Sequence, residues 1–316
     1  MRIVRAVSAL ALVSIVAAAC SGPAATAAPS VASSPTPAAS ASATPEPASP
    51  TPTPDACAPD QLATKTAGTL LLGADNPAYP PYYAPSDPAV APWEFGDPTN
   101  GKGFESAVAY AVAKEMGYEG DKVAWAPVPF NNATQPGPKD FDLYLTQVSY
   151  TPERAQGVDI TKGYYFVNQA IVALKDSPIA GTTSIAALKP FKFAAQVGTT
   201  SLTMITETIA PDQEPLVLDT NDAAIEAVKN GQADAIVVDL PTAYFIRDYP
   251  QIENSVIVGQ FEAEAGGEYF GMVLDKDSPL TNCVNAALDR LRANGELEAI
   301  TDEWLSSQGS APVFQP

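Results

Sequence analysis

The stretch Ser149-Tyr150-Thr151-Pro152-Glu153-Arg154 decides how the rest of the chain is read. It ends an apolar run, Leu143 to Ser149, that reads as a strand, and it opens a helix. Thr151 supplies a capping hydroxyl, Pro152 suits the first helical position, and Glu153 places a negative charge in the first turn. Arg154 is out of place there, because the N-terminal end of a helix favours anions. Either it pairs with a carboxylate of the protein, or it faces an anion that comes from outside.

On both sides of this stretch, strand and helix patterns alternate. Thr69 to Ala74 reads as a strand and leads into the Pro- and Tyr-rich loop Asn76 to Tyr83. Phe104, Val108, Ala111, Val112 and Met116 recur at helical spacing, and Gly117 stands where that helix would stop. Gln169 to Leu174 and Phe191 to Val197 read as strands, the second running into Gly198-Thr199-Thr200-Ser201 and a helix. Thr220 caps a helix carrying Ala224, Ile225 and Val228, which Gly231 ends. Ala235 to Val238 is a buried-type strand that stops at Asp239. Two helices close the pattern, one with Leu280, Val284, Leu288 and Leu291 on a face, the other with Leu297, Ile300, Trp304 and Leu305. No internal repeat stands out. This alternation predicts an α/β fold with open, mostly parallel sheets, in which ligands bind beyond the carboxyl ends of strands.

Three such strand ends carry charge or donors. Arg154 is the first. The second is the Gly198-Thr199-Thr200-Ser201 turn, whose N–H groups and hydroxyls either hold a carboxylate or simply cap the helix. The third is Asp239, before Leu240-Pro241, which either binds an ammonium group or caps the next helix. Two anion-seeking elements and one cation-seeking residue form the charge map of an α-amino acid zwitterion. Tyr79 and Phe130 are candidates for apolar walls, with core packing as the alternative.

Composition narrows the classes. With 36 acidic and 17 basic residues the formal net charge is -19, which repels nucleic acid and anionic lipid. The chain has no histidine, so imidazole ligands and Ser-His or Cys-His nucleophile arrangements are excluded. Arg2 and Arg5 precede an apolar run of 14 residues, Ala6 to Ala19, that ends at Cys20. Such a run is too short to span a bilayer as a helix and fits a cleaved signal peptide over residues 1–19. Val16-Ala17-Ala18-Ala19-Cys20 resembles a bacterial lipoprotein cleavage box, in which the Cys becomes the lipidated first residue; Ala17 stands where leucine is usual. Residues 21 to 56 are nearly all Ala, Pro, Ser and Thr, a composition that cannot bury enough apolar surface to offset its ordering entropy. Residues 20–56 therefore read as a lipidated tether, with a reach of roughly 110 Å if fully extended as polyproline. The remaining cysteines, Cys57 and Cys283, read as a disulfide in a secreted chain, with two free buried thiols as the alternative.

The order of these pieces resembles the family-3 extracellular solute-binding proteins, the polar amino-acid receptors of ABC importers, from about Gly68 to Ser307. The resemblance rests on Tyr79-Pro80-Pro81-Tyr82, Gly103-Phe104-Glu105, the Ser149 to Arg154 stretch with Val158-Asp159 and Tyr164-Tyr165, Gly198 to Ser201, Asn230-Gly231-Gln232-Ala233-Asp234, Val238-Asp239, and Leu291 to Gly295 with Trp304. It implies a two-lobed periplasmic-binding-protein-like fold whose lobes are joined by two crossing strands, with lobe 1 at 57–165 and 268–316 and lobe 2 at 166–267. It also implies a site in which Arg154, Ser149, backbone N–H at Gln147, and Thr200 hold an α-carboxylate, Asp239 grips the ammonium, and Tyr79 and Phe130 sandwich the side chain. Asn76 and Gln147 depart from the family's usual Asp and Gly and favour a polar, uncharged side chain, while the acidic surface leaves basic amino acids open. The segment Asn131 to Asp140 is rich in Pro and Gly where the family has a plain helix. The implied protein is a monomer on the outer face of the bacterial membrane, without cofactor or metal, that delivers an amino acid to ABC permease subunits. The alternatives are a sensing or adhesion module of the same fold, and an enzyme resembling cyclohexadienyl dehydratase, whose chemistry needs a general acid or base over the substrate.

Overall fold

The computed structural model describes residues 56–262, 267–305 and 311–316. The expected signal peptide, Cys20 and all of the tether except Ala56 lie outside the described residues.

Two five-stranded sheets organise the chain. The first has the order β2-β1-β3-β12-β4, with β1 Leu70–Ala74, β2 Val123–Pro127, β3 Leu143–Tyr144, β4 Asp159–Ile160 and β12 Val273–Leu274. The second has the order β10-β6-β9-β7-β8, with β6 Gln169–Leu174, β7 Phe193–Gln196, β8 Leu216–Leu218, β9 Ala235–Asp239 and β10 Ser255–Gln260. Between them runs an antiparallel pair, β5 Tyr165–Phe166 with β11 Tyr269–Phe270. Both sheets are mixed, and this crossing explains why. β1 is parallel to β2 and β3, and β7 to β8 and β9, while the strands adjoining the crossings, β6 and β12, run antiparallel to their neighbours.

In the first lobe, helices α1 (Phe104–Glu115), α7 (Thr281–Ala293) and α8 (Glu296–Leu305) share one core. Phe104, Val108 and Val112 meet Val284, Leu288 and Leu291 there, as their helical spacing predicts. Cys57 is bonded to Cys283 on α7, which ties the start of the described chain to the end of this lobe across 226 residues of sequence. Gly103, at φ +95, closes the Pro- and Tyr-rich loop onto α1; a Cβ there would sit 2.5 Å from the Tyr82 carbonyl oxygen. In the second lobe β9 is buried on both faces, Ile236 and Val238 on one side and Ala235 and Val237 on the other, hence its continuous apolar run.

Two boundaries differ most from those read in the sequence. The strand expected from Leu143 to Ser149 stops at Tyr144, because Gln147 turns into the left-handed region at φ 45. Only an isolated bridge between Ser149 and Phe270 returns the chain to pairing. Residues 311–316, read as part of lobe 1, instead pack on the second sheet: Val313 bridges to Gln260, and Phe314 lies 5.1 Å from Phe261, ring centre to ring centre. A short α2 (Phe130–Thr134) takes up the first half of the Pro- and Gly-rich segment.

Candidate binding site

The cleft between the sheets takes one wall from each lobe. On the first, Glu105 at the start of α1 is fully buried. Its carboxylate accepts the Gln147 backbone N–H at 2.7 Å, the Gln147 side-chain amide, and the Tyr164 hydroxyl at 2.5 Å. Burial pushes the Glu105 carboxyl up to about 7, against the downward pull of those hydrogen bonds. The turn at Gln147 is thus pinned from behind. Helix α3 (Arg154–Gly157) begins where the Thr151 hydroxyl accepts the Arg154 N–H at 3.2 Å. The Arg154 guanidinium donates to the Ser149 carbonyl at 2.6 Å and to the Gly198 carbonyl of the other lobe at 2.7 Å. Its carbon lies 5.5 Å from the centre of the Phe130 ring, within cation–π range. Burial lowers the Arg154 pKa, opposed by the nearby carboxylates of Glu268 and Asp239.

On the second wall, α4 (Thr200–Thr203) follows β7. Thr199, not Thr200, caps it, accepting the Leu202 N–H at 3.2 Å. That leaves the Thr200 hydroxyl for the cleft, where it donates to Glu268 at 2.6 Å. Asp239 ends β9 at the N-cap position of α6 (Leu240–Asp248), yet its side chain makes no capping bond. It accepts instead from the Gln169 amide at 2.7 Å. Burial first, then the Glu268 charge, hold its carboxyl well above the ordinary carboxylate range. Asp239 therefore does not cap α6 with its side chain.

Glu268 comes from beside the crossing strand β11 and accepts from the Ser149 hydroxyl on one lobe and from the Thr200 hydroxyl and the Gln169 amide on the other.

Farther along the cleft, the Tyr79 ring lies 5.2 Å from Phe95 and 5.4 Å from Phe245 of α6. The Tyr79 hydroxyl donates to Asp222, at the start of α5 (Asn221–Lys229), at 3.0 Å. Asp75 also lines the cavity, its carboxyl raised chiefly by burial. The amide ends of Asn76 are both occupied, donating to the Pro92 carbonyl at 2.9 Å and accepting the Glu94 N–H at 3.0 Å.

Among the residues expected at the site, Asn76, Tyr79, Phe130, Gln147, Arg154, Thr200 and Asp239 line one cavity. Ser149 sits behind it, buried and bonded to Glu268. Sequence reasoning missed Asp75, Gln169, Asp222, Phe245 and Glu268. Gln169, a polar residue opening an otherwise apolar strand, carried a readable signal; Glu268 carried none, since a lone acidic residue near a Gly-Gly pair fits any surface loop.

Two lobes joined by crossing strands, with charged groups from both meeting over one cavity, define a solute receptor of the periplasmic-binding class. The chain belongs to the bacterial extracellular solute-binding proteins, family 3, which match residues 85–307. It is 30% identical over 221 residues to the arginine-binding extracellular protein ArtP of Bacillus subtilis, covering 69% of this chain and 83% of that one. It is 26% identical over 215 residues to the glutamine-binding protein GlnH of the same organism, covering 66% and 75% of the two chains. A solved ancestral arginine-binding protein bound to glutamine superposes with a TM-score of 0.60 at 27% identity, over 76% of this chain and 99% of that one.

Proposed function

We propose that the chain captures an α-amino acid by lobe closure and hands it to the membrane subunits of an ABC importer. Arg154 and the N–H groups of the Gly198 turn take the carboxylate, and Asp239 takes the ammonium. The observation that carries this reading is the placement of Arg154 and Asp239, opposite charges from different lobes, on one cavity, with Asp239 making no cap bond. A ligand touching both stabilises the closed form, because only closure supplies both contacts.

At the side-chain end the polar groups with acceptor sites to spare are carboxylates. The Gln147 and Asn76 amides have partners in the protein, whereas Asp75 and Asp222 line the cavity beside the Tyr79 and Phe245 rings. This favours a basic side chain over the uncharged one that Asn76 and Gln147 indicated. The relatives that bind arginine are in keeping with it.

The protein acts as a binding component, not an enzyme, as a monomer held to the outer face of the membrane through lipidated Cys20. Support for the anchor is the apolar run ending in Ala17-Ala18-Ala19-Cys20 and the Pro-rich stretch after it. A thermal-shift screen of the twenty amino acids tests the ligand class. A rise in melting temperature with arginine or lysine is expected; no rise with any of the twenty would remove the amino-acid reading. Metabolic labelling with a fatty acid, lost in Cys20→Ala, tests the anchor.

A further inference from the structure

A second cavity, of about 350 Å³, opens beside the amino-acid cleft and takes walls from both lobes. The second lobe gives Tyr244, Phe245 and Asp248 of α6 and Tyr249 just past it. The first lobe gives the Pro-rich stretch after β1 with Phe95, and Glu303 and Trp304 of α8. Phe245 and Pro80 line this cavity and the amino-acid cleft alike. Through Phe245 the rings run across the lobe boundary, 6.3 Å to Phe95 on one side and 5.4 Å to Tyr249 on the other. The capture of an amino acid makes no use of this space.

Its chemistry is that of rings and acid. Among the described residues no Lys, Arg, Asn or Gln side chain lines it. Asp248 is already neutralised, its carboxylate accepting two Arg247 N–H groups at 2.5 and 2.8 Å. The Arg247 guanidinium carbon lies 4.8 Å from the centre of the Tyr244 ring, so this helix already holds one delocalised cation on an aromatic face. Glu303 is exposed and has no hydrogen-bond or ion-pair partner among the described residues. The cavity thus offers aromatic faces and one uncompensated negative charge, but few acceptors. A primary ammonium has three protons to satisfy. A fully alkylated ammonium has none, and ring faces with a nearby carboxylate suffice to hold it.

We infer that this cavity is a second binding site, for a small quaternary ammonium compound, held by the Phe95, Phe245, Tyr249 and Trp304 rings and by the charge of Glu303. Both lobes supply its walls, so an occupant favours the closed form. Its binding and that of the amino acid then strengthen each other by the same factor. The site goes beyond the amino-acid reading and does not depend on it.

The test is calorimetric titration of the purified full-length chain, at constant ionic strength, with choline chloride and with the neutral alcohol in which a carbon replaces its nitrogen. Choline should bind saturably and about tenfold more tightly than the alcohol. No saturable heat for choline, or equal affinities for the two, would overturn the proposal. Glu303→Gln and Tyr249→Leu, both at exposed positions that should tolerate the change, should each weaken choline and leave the alcohol unchanged. Unaltered choline affinity in both variants would also overturn it. At saturating choline, the amino acid with the largest thermal shift should bind more tightly. Competition would place choline in the amino-acid cleft, and an unchanged affinity would break the link to closure; either result overturns the assignment. The choline titration needs no amino acid, so a failure of the amino-acid reading is seen separately.

Discussion

Replacing Glu105 by glutamine removes one ionisable group from beneath the cleft and should change how stability responds to pH. The carboxyl is fully buried, and its pKa rises from the ordinary 4.5 to about 7 in the folded protein. The folded state therefore holds this proton more tightly than the unfolded chain does. A raised carboxyl contributes its stability fully below pH 4.5 and loses it as pH climbs to about 7. At roughly 1.4 kcal/mol per pH unit, the loss across that window is about 3 kcal/mol. Glutamine keeps the shape, and the Gln147 amide can flip to offer its oxygen to the new N–H group, so the packing should survive. Urea unfolding at several pH values reads the effect as midpoint shifts. The wild type should lose stability relative to Glu105→Gln between pH 4.5 and 7.5, and the two should run parallel above it. Other raised carboxyls, Asp239, Asp75 and Asp142, push in the same direction, but they are common to both proteins and largely cancel in the difference. Parallel curves across the whole window would refute the buried, proton-retaining state of Glu105.

Arg154→Ala should cost about 2–5 kcal/mol of ligand binding by calorimetry, since the ligand carboxylate loses its charge-assisted partner; a loss below about 0.5 kcal/mol would mean that the arginine merely braces the Ser149 and Gly198 carbonyls. Asp239→Asn should weaken binding by about 1.5–3 kcal/mol and leave the melting temperature of the unliganded protein no lower, because the side chain caps nothing. Reducing the Cys57–Cys283 bond should lower stability by about 2–5 kcal/mol in denaturant titrations. Ligand affinity should hold, because Cys283 sits in the first-lobe core and Cys57 packs against it; an affinity loss would place the bond in the closure mechanism. Tyr79→Phe, which cuts the bond to Asp222 across the cleft, should weaken binding by about 0.5–1.5 kcal/mol, and an unchanged affinity would mean that this bond plays no part in closure.

The two-lobed architecture was legible because its elements announce their ends. Pro152 stands two residues before α3, Gly117 and Gly231 close two helices at φ +82 and +67, and the apolar run of β9 stops at the residue that faces the cleft. The charged corners of the site, Arg154 and Asp239, were legible for the same reason: each is a charge where the local helix gives it no use. What local sequence could not show is which groups consume one another. Gln147 and Asn76 looked like readers of the ligand side chain, but their amides serve Glu105 and the 92–94 backbone, contacts that span 42 and 16 to 18 residues of sequence. Glu268 and Ser149 meet across 119 residues, and nothing in the neighbourhood of either predicts the meeting. The placement of 311–316 on the second sheet was hidden similarly, since an extended tail carries no periodicity to say which lobe it joins.

The most direct test of recognition by opposed charges on two lobes is calorimetric titration of the chain with L-arginine, its carboxamide and its N-acetyl derivative. Binding of the free amino acid, with loss of detectable heat for both blocked forms, is the predicted result, because one derivative has nothing for Arg154 and the other nothing for Asp239. Undiminished binding of the N-acetyl derivative would contradict the claim: the protein would then be a receptor for some other small anion.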